Sequence, residues 1–459
     1  MGINKNRNIM TTDPRAALYR AFEVYPLEPN DPAYVNCEAV RGEQNICKEL
    51  GDSISLADQS KFTCQLFTGA RGCGKSTELR LLKEDLRSQG YFVIYFEADQ
   101  GDIDIEDTEH TDILLACTRH ILEELANKET GDGKQILNWI KERLQSLVDL
   151  GLTEIELDKI GVEFSIEKFV KLMASFRQVP NLRQEIRKQI DVHTPKLLVI
   201  LNEFIDRAMQ NLPKYSKRNL VVIVDNLDRI VPVTRENKRT NHEEIFLDRK
   251  NQMQGLNCHV IYTVPISMVY AKYGANMTEE YQQTIIMPMI TVKTKDNQVY
   301  GEGIDKLKEI IQKRVEKAKV SLGRLFESAE ALDEICQKSG GYVRNLMQLM
   351  QSAVKNSTQM PISDRAVQRA ISELREVYRK TLYGDDWQKL AEVWQTKSVS
   401  KDSKSGEYRD LLFRRCVLEY RTIDVKGKTV FTHDVHPLIE GMEEFIAEIS
   451  KNDSITKTI

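Results

Sequence analysis

The sequence predicts an α/β fold, a parallel β-sheet sandwiched between helices, followed by an all-helical segment and a small C-terminal domain with a β-hairpin. Three observations predict it. Apolar runs of strand length alternate with amphipathic helical stretches up to about residue 300. From residue 301 only the helical period continues, and near the end a Lys-Gly-Lys turn at 426–428 separates two strand-like runs. Strands that alternate with helices favour a parallel, doubly wound sheet.

Length and composition indicate a soluble protein of several domains. The 459 residues allow two to four domains, and the charged and hydrophobic fractions of 29% and 41% are ordinary for globular proteins. A net charge of −4 gives no support for a general attraction to nucleic acid or membranes. No apolar run has the length of a membrane span, and no signal peptide is predicted. The eight cysteines include no C-x-x-C pair, so we expect reduced thiols in the cytoplasm rather than zinc or disulfides.

The most informative motif stands at 69–76, where GARGCGKS matches G-x-x-x-x-G-K-[ST] in full. Its glycines let the backbone turn so that N–H groups face phosphates. Lys75 is expected at the β- and γ-phosphates, Ser76 at Mg²⁺, and the helix that follows adds its N-terminal dipole. An ordinary glycine-rich turn is the alternative, but a strand-like run before and an amphipathic helix after the motif favour an ATP site. The predicted phosphate contacts are Gly69, Ala70, Arg71, Gly72, Cys73, Gly74, Lys75, Ser76 and Thr77.

The residues before this motif predict an arm and a cover for the nucleotide. Residues 1–30 are polar and predict a loosely attached arm with a short helix near 16–22. Residues 31–54 end in an amphipathic helix and are placed to wrap the base of the nucleotide. Arg41 is the candidate contact there, and a plain surface arginine is the alternative.

A second buried strand is predicted at 91–96, a run of aromatic and β-branched residues. It ends in Glu97-Ala98-Asp99, at the edge where α/β proteins bind ligands. The acid-rich loop 101–110 is interpreted as a solvated turn before the next helix, with metal binding as the remoter alternative.

A helical insertion is predicted at about 111–217, because this stretch is much longer than a usual crossover. It offers either a surface for a partner protein or structural padding. Two apolar stripes illustrate its helical spacing: Phe169, Leu172, Phe176 and Leu201, Ile205, Met209. Basic residues interleaved with acids predict a solvated face; they are Arg177, Arg183, Arg187 and Lys188.

A second anchor follows at 220–225, an apolar strand that ends in Asp225. An acid at this position holds Mg²⁺ opposite the phosphate loop, so Asp225 is assigned to the metal together with Ser76. Asp228 is the nearest carboxylate that can serve as a general base for hydrolysis. The alternative is that Asp228 caps the following turn.

Two more strands complete a predicted parallel sheet of five. They lie at 257–265 and 284–290, and Thr263 stands near the end of the first, where a polar side chain can sense the γ-phosphate. In the helical segment a break at 339–341 precedes a helix that starts near Arg344, a residue off the apolar stripe.

The final part, with two helices and the hairpin, is typical of a winged helix. We therefore predict an N-terminal arm at 1–30, a P-loop ATPase domain at 31–300 with the insertion at about 111–217, a helical lid at 301–382 and a winged-helix domain at 383–459.

In this order, GARGCGKS, VVIVDNLDRI, the TVP strand and SGGYVRNL resemble the AAA+/STAND branch of P-loop ATPases, with an origin-recognition-like core, helical lid and winged helix. The resemblance covers roughly residues 35–440 apart from the insertion. It implies that Arg344 contacts the γ-phosphate as sensor 2 and that Thr263 takes the sensor 1 position. FTHDVHPL resembles the motif that closes STAND switches, which implies that His433, or alternatively His436, contacts the β-phosphate of ADP. Simple packing is the other interpretation of these histidines.

Three features depart from ring-forming or DNA-reading relatives. Asn226 stands where many ring ATPases have a glutamate that activates water, which predicts slow hydrolysis. Between 267 and 283, where an arginine finger is expected, Lys272 is the only base, and Arg249 lies one helix earlier. In the winged helix acids match or outnumber bases, unlike a DNA-reading wing, and its one tight basic pair, at 414–415, is interpreted as a surface pair.

These features favour an ATP-binding, slowly hydrolysing switch that needs ATP and Mg²⁺. Its output is expected to be assembly with itself, as a homo-oligomer, or with a separate effector protein, and the resemblance implies bacterial antiphage defence as a setting. The alternative is a DNA-binding initiator or transposition-type ATPase. A third hypothesis, without catalysis, keeps the nucleotide as a fixed structural ligand.

Overall fold

A computed structural model of the chain describes residues 13–58, 61–126, 133–149, 165–212, 220–236, 238–270, 274–399 and 407–456. Its central sheet has five parallel strands in the order β2-β3-β4-β1-β5, which confirms the predicted parallel sheet. The strands are β1 (Cys64–Gly69), β2 (Phe92–Glu97), β3 (Leu220–Asp225), β4 (His259–Val264) and β5 (Gln283–Met287). β4 lies between β1 and β3, so the phosphate loop and Asp225 flank its carboxyl end.

Helices surround the sheet and continue beyond it. Before and within the α/β part they are α1 (Pro14–Ala21), α2 (Ile46–Ser55), α3 (Lys75–Ser88), α4 (His110–Ala126), α5 (Lys134–Asp149), α6 (Ile166–Gln178), α7 (Pro180–Asp191), α8 (Thr194–Gln210), α9 (Asn241–Glu243), α10 (Lys250–Met253) and α11 (Gly274–Glu280). The later helices are α12 (Gly301–Lys317), α13 (Ala329–Lys338), α14 (Val343–Asn356), α15 (Asp364–Arg379), α16 (Asp386–Thr396), α17 (Glu407–Phe413) and α18 (Glu443–Thr456). Among the helices so described, none is both long and apolar enough to cross a bilayer.

One face of the sheet is covered by α2 and α3. On α3, Leu79, Leu82 and Leu86 recur at helical spacing and are buried in one cluster with Phe67 and Ile223 of the sheet. Because the strands are buried on both faces, they are continuous apolar runs rather than alternating ones. This packing fixes the first turn of α3 at the carboxyl end of β1.

The other face is covered by the helices between β2 and β3. Both apolar stripes predicted there are buried in the core that α4 to α8 share with the sheet. The described part of the insertion is therefore a layer of the α/β sandwich rather than an appendage.

The basic residues of α7 correct the prediction of a solvated face. Arg183 is only 2% exposed, and its Nε donates to Asp107 Oδ2 at 3.0 Å. Arg187 Nε donates to Asp112 Oδ1 at 3.0 Å, and this carboxylate is fully buried. The acid-rich loop 101–110 therefore folds back onto α7 instead of pointing into solvent, because its carboxylates neutralise buried guanidinium groups.

The N-terminal helix forms where it was predicted, but the described part of the arm is firmly packed. Asp13 caps α1 by accepting a hydrogen bond from Arg15 N–H at 2.9 Å. Leu18 and Phe22 are completely buried in the core of the helical C-terminal part. The expectation of a loosely attached arm is thus wrong for residues 13–30, while residues 1–12 lie outside the described residues.

Helices α12 to α15 form the lid, and the chain then forms a winged helix. α16 and α17 precede the antiparallel hairpin of β6 (Val417–Ile423) and β7 (Thr429–Val435), and α18 follows it. One apolar cluster includes residues of α1, the lid helices and the winged helix, so these three parts share a core.

Candidate functional site

A cavity that is partly open to solvent lies between the sheet, the N-terminal segment and the lid. Its wall includes the phosphate loop, the first turn of α3 and the first turn of α14. The cavity therefore lies at the carboxyl end of β1, where the sequence predicted a nucleotide.

The phosphate loop has the backbone that its glycines permit. Gly69 and Gly72 have φ angles of +144° and +89°, which side chains with a Cβ rarely adopt. A Cβ on Gly69 would also lie 2.7 Å from the carbonyl oxygen of Met287. The loop leads into α3, whose unpaired N–H groups and dipole favour an anion in the cavity.

Lys75 forms a buried ion pair in this site. Its Nζ donates to Gly69 O at 2.7 Å and Ala70 O at 3.1 Å, and it lies 3.0 Å from Asp228 Oδ2. Burial alone would lower the pKa of Lys75, but Asp228 opposes it and the net shift is upward. Asp228 is therefore the counter-ion of Lys75 in this structure, and its role as a general base stays a prediction.

The two predicted metal ligands lie together. The Asp225 carboxylate accepts from Tyr95 Oη at 2.8 Å and from Asn226 N–H at 2.7 Å, and the neighbouring Ser76 hydroxyl acts to lower its pKa. Burial, followed by the nearby charge of Asp228, raises the pKa of Asp225. A hydroxyl and a carboxylate at the phosphate loop fit the oxygen ligands that Mg²⁺ prefers, with phosphate and water completing the shell.

The Asn226 side chain contacts a different group of acids from the two candidate metal ligands. Its φ is +67°, and its Nδ2 donates to Glu97 Oε2 at 3.1 Å and to Asp99 Oδ1 at 2.8 Å. The Tyr95 hydroxyl connects Asp225 to these acids, because it also lies 3.4 Å from Glu97 Oε1. The sequence placed Glu97 and Asp99 at this edge of the sheet, but it gave no signal that Tyr95 connects them to Asp225.

Two predicted arginines line the cavity. Arg41 is 6% exposed, and its Nη2 donates to Cys73 O at 2.8 Å, so the surface alternative is wrong. The backbone N–H of Arg344 donates to Gly72 O at 3.3 Å. A Cβ on Gly72 would lie 2.6 Å from Arg344 Nε, which shows how closely the lid approaches the loop. The Nε atoms of Arg41 and Arg344 are buried and have no hydrogen-bond partner in the described chain.

The cavity has a cationic end and an apolar end. Six basic residues and two acidic residues line it: Arg41, Arg71, Lys75, Arg229, Arg314 and Arg344, with Glu78 and Asp228. The apolar part is contributed mainly by the N-terminal segment and the lid: Val24, Pro26, Leu27, Ala33, Val35, Ile310 and Met347. Such a cavity suits an amphiphilic polyanion.

Arg314 was missed by the sequence analysis, and it joins these two parts. This residue of α12 donates from Nη1 to Ala21 O at 2.9 Å and to Glu23 O at 3.2 Å. Burial lowers the pKa of Arg314. Its contacts hold the N-terminal segment over the apolar end, and a single arginine in an amphipathic helix carries no signal for such a role.

Thr263 lies near the end of β4, as predicted, but it does not line the cavity. The side chain is fully buried, and its hydroxyl accepts from Leu227 N–H at 3.0 Å and lies 3.4 Å from Val224 O. Thr263 thus holds the turn after β3, and it is not part of the described cavity lining. A sensor role does not fit a hydroxyl that is committed to the backbone.

The two histidines of the hairpin also lie outside the described lining of the cavity. His433 Nε2 lies 2.9 Å from Tyr270 Oη and 3.5 Å from Glu419 Oε2. His436 is fully buried; burial lowers its pKa to about 3, and its Nε2 lies 2.9 Å from Asn345 Nδ2. Both histidines therefore join parts of the fold, which corrects the assignment of His433 to the nucleotide.

The candidates for an arginine finger remain without support. Arg249 Nη2 lies 3.2 Å from Asp191 Oδ2 at the end of α7, so it is engaged within its own chain. Lys272 lies outside the described residues.

Comparisons with known proteins add a similarity of overall architecture. No protein-family model matches the chain, and no curated protein matches it. The ORC2 protein of Aeropyrum pernix, in ADPNP–ADP complexes, is 11% identical over 96% of this chain and 98% of its own, with a TM-score of 0.42. The Walker-type ATPase PABY2304 of Pyrococcus abyssi is 12% identical over 91% and 98%, with a TM-score of 0.41. Cdc6p of Pyrobaculum aerophilum is 13% identical over 94% and 98%, with a TM-score of 0.35.

At these identities and TM-scores the similarities support no functional assignment. The fold is established by the chain's own strand order and by the loop that joins β1 to α3. The chain therefore has the α/β fold of P-loop nucleotide-binding proteins, with a helical insertion and a helical C-terminal part.

Proposed function

We propose that this protein binds ATP with Mg²⁺ in the cavity at the end of β1 and hydrolyses it slowly, as a switch. One observation carries the proposal. The chain has a complete phosphate-loop motif, with Ser76 beside Asp225, next to a cavity whose lining is mostly cationic at that end. The motif, the pair of Ser76 and Asp225 and the cationic lining would each help to hold a triphosphate and its metal ion. An ordinary glycine turn requires none of these three features.

Each side chain of the site has a separate role in the proposed complex. Lys75 and Arg344 attract the β- and γ-phosphates, and Ser76 and Asp225 would hold Mg²⁺, which when bound neutralises phosphate charge. An arriving phosphate competes with Asp228 for the Lys75 ammonium. Once released from that pair, the Asp228 carboxylate is free to accept a proton from water.

The apolar end of the cavity is the natural place for the base. Residues 24–35 cover it from one side and lid helices α12 and α14 from the other. Burial of an aromatic base there excludes water, while the charged end holds the phosphates.

A switch follows from the contact between the lid and the phosphate loop. Because Arg344 reaches the loop from α14, a triphosphate and a diphosphate would hold the lid with different strength. The proposed output is assembly with itself or with a separate effector in the cytoplasm, and bacterial antiphage defence is the setting that the sequence resemblance suggests.

The central experiment is ATP binding by Lys75→Ala. We expect loss of detectable binding in isothermal titration with Mg²⁺, because the variant loses the only lysine that lines the described cavity. Lys48→Ala, an exposed lysine on α2, is the matched control and should bind like the wild type. Normal ATP binding by Lys75→Ala would overturn the site assignment.

A DNA-binding initiator is the second candidate. The observation in its favour is the hairpin tip, where Val425, Lys426 and Lys428 are exposed. Binding to duplex DNA that requires ATP and weakens steeply with salt would support it. ATP-dependent assembly that is indifferent to DNA would support the switch.

A further inference from the structure

The turn after β3 brings two oxygen-bearing side chains to the cationic end of the cavity. Asn226 and Asp228 are two positions apart, both line the cavity, and they are only 3% and 4% exposed. Asp228 Oδ2 lies 3.0 Å from Lys75 Nζ, which places this turn beside the phosphate loop. A polar atom that either side chain leaves unpaired is therefore available to a ligand of the cavity.

The hydrogen bonds of Asn226 engage all but one of its polar atoms. Its backbone N–H donates to Asp225 Oδ1 at 2.7 Å, and its carbonyl oxygen accepts from Arg229 N–H at 3.1 Å. Its Nδ2 donates to Glu97 Oε2 at 3.1 Å and to Asp99 Oδ1 at 2.8 Å. The side-chain oxygen, Oδ1, accepts no hydrogen bond from the part of the chain that the structure describes.

The two acids determine which end of the amide faces the cavity. Arg80 Nη2 lies 2.8 Å from Glu97 Oε1, and this ion pair favours an ionised carboxylate. Arg229 Nη1 lies 2.6 Å from Asp99 Oδ2 and acts in the same way. Because ionised carboxylates only accept hydrogen bonds, the amide atom beside them must be the nitrogen. Oδ1 is accessible rather than sealed in the protein, so it is the atom that Asn226 offers to the cavity.

The backbone of this turn holds the amide in place. Asn226 has a φ of +67°, a left-handed conformation that asparagine adopts more readily than most residues with a Cβ. A short helical turn at 227–229 follows, and Leu227 N–H donates to Thr263 Oγ1 at 3.0 Å, which fixes the turn to β4. The position of Oδ1 is thus set by contacts on two neighbouring strands.

Two acceptors on one turn suit a water molecule that attacks a phosphate. Such a water has two hydrogens to donate and must direct a lone pair at phosphorus. Asn226 Oδ1 is one acceptor, and the Asp228 carboxylate is the other once a phosphate has replaced it at Lys75. A water that donates to both is held with its lone pair directed away from the turn.

We propose that Asn226 Oδ1 and Asp228 together hold the water that attacks the γ-phosphate, with Asn226 orienting it and Asp228 accepting its proton. The inference rests on the proposed function and deepens it by naming the residue that orients the water. The water oxygen bonds to phosphorus as the bond to the β–γ bridging oxygen breaks, and ADP leaves with that electron pair. Since an amide orients a water but takes no proton from it, this arrangement fits slow hydrolysis.

The first test measures ATP turnover and ATP affinity separately in Asn226→Gly. Glycine tolerates the left-handed backbone, so the variant removes the amide alone. Single-turnover release of labelled phosphate should slow about 100-fold, as for a misplaced nucleophile, while the Kd for ATP in titration calorimetry stays within about threefold. Asn297→Gly, at an exposed asparagine with a φ of +62°, is the matched control and should keep both values.

A second variant separates this role from a structural one. The ammonium of Asn226→Lys can still donate to Glu97 and Asp99, but it offers no acceptor to a water. Lysine already occupies left-handed positions in this chain, with φ of +59° at Lys319 and +52° at Lys397. We expect the same loss of turnover without weaker ATP binding. A role confined to the hydrogen bonds with the two acids predicts instead that this variant hydrolyses ATP like the wild type, which would overturn the inference.

Combination with Asp228→Asn tests whether the two side chains hold one water. The double variant Asn226→Gly/Asp228→Asn should be no slower than the slower single variant, because residues that act as a unit lose their function once. Losses that multiply would contradict a shared water, and so would turnover by Asn226→Gly within about threefold of the wild type.

The inference and the proposed function fail in different ways. If the wild type hydrolyses ATP and the Asn226 variants do so equally fast, only the role of Asn226 is wrong. If the wild type binds ATP but releases no phosphate above background, the proposed hydrolysis itself is wrong. Absence of ATP binding by the wild type would contradict the nucleotide site as a whole.

Discussion

Lys75 and Asp228 form a nearly inaccessible ion pair at the phosphate end of the cavity, each side chain 5% exposed. Their attraction offsets the desolvation of both charges only while both are present. In the proposed complex a phosphate would supply a second negative partner for the lysine, so Lys75 would exchange one counter-ion for another. Such an exchange would account for the Asp228 carboxylate at the end of the cavity that is proposed to bind phosphate.

Asp228→Asn tests this exchange. Without nucleotide the variant should lose about 3 kcal/mol of unfolding free energy, because the Lys75 ammonium stays buried without a counter-ion. ATP with Mg²⁺ should then raise its melting temperature by more than it raises that of the wild type. Thermal unfolding with and without ATP provides the measurement, and Asp305→Asn, an exposed acid on α12, is the control.

The same variant addresses hydrolysis. If Asp228 accepts the proton of the attacking water, turnover should fall about 100-fold or more while ATP still binds. The hypothesis of a fixed structural nucleotide predicts instead that wild type and variant both hydrolyse at background rate.

At the scale of elements, the start of α14 is the contact between the lid and the phosphate loop. The break before it brings Tyr342 and Arg344 onto residues 71 and 72. On the opposite face of the sheet, α7 of the insertion also holds a loop in place, because its arginines neutralise acids of the 101–110 loop.

Arg344→Ala tests whether this arginine contacts the γ-phosphate. We expect ATP affinity to fall about 10-fold and ADP affinity to change less, because the guanidinium is aimed at the terminal phosphate in the proposed complex. Parallel titrations with ATP and ADP measure the ratio. Equal losses for the two nucleotides would contradict a γ-phosphate role.

Arg187→Met should destabilise the insertion. Its partner Asp112 is fully buried, and burial already raises the pKa of that carboxyl, so an unpaired carboxylate should lower the unfolding free energy by about 3 kcal/mol. Denaturant unfolding measures the loss. Adding Asp112→Leu should restore much of it, since no buried charge then remains; failure to recover would show that the guanidinium acts mainly through its other contacts.

At the scale of the whole molecule, α1, the lid and the winged helix share one apolar cluster. Two other clusters centre on the sheet, and one of them also includes Tyr342, Leu418 and Tyr420. The candidate cavity lies between these parts of the fold. A ligand that draws the lid toward the phosphate loop therefore acts on the arm and the winged helix together, because their side chains interlock.

Buried histidines make the stability of this assembly depend on pH. Burial lowers the pKa of His110 and His242 to about 4 and that of His436 to about 3. Between about pH 4 and pH 6.5 these histidines bind protons in the unfolded chain, where their pKa values are near 6.5, but not in the folded chain. Stability should therefore be fully present above about pH 6.5 and decline as the pH falls toward 4.

Melting temperatures between pH 8 and pH 4 measure this decline. His436→Asn should reduce the slope by at most one proton, about 1.4 kcal/mol per pH unit, since it removes one of the titrating groups. An identical slope in wild type and variant would mean that His436 is not protonated on unfolding.

Local patterns were sufficient for the fold class and for the centre of the candidate site. Glycines that permit left-handed backbone, a strand that ends in Asp225 and helical leucine spacing are all properties of short segments, so they can be recognised without the rest of the chain. For this reason Lys75 and Ser76 could be located at the cavity and Asp225 at the end of β3, while their roles toward a nucleotide and its metal ion stay predictions.

Only the tertiary structure decided which charges are buried and which side chains reach the cavity. Arg187 and Asp112 are 75 positions apart, and Arg344 meets a loop some 270 residues earlier. The burial and electrostatic surroundings of a charged side chain depend on all the segments packed around it. A local sequence pattern contains no information about those distant segments. The surroundings of His433 and Thr263 therefore depended on residues that no local pattern could identify.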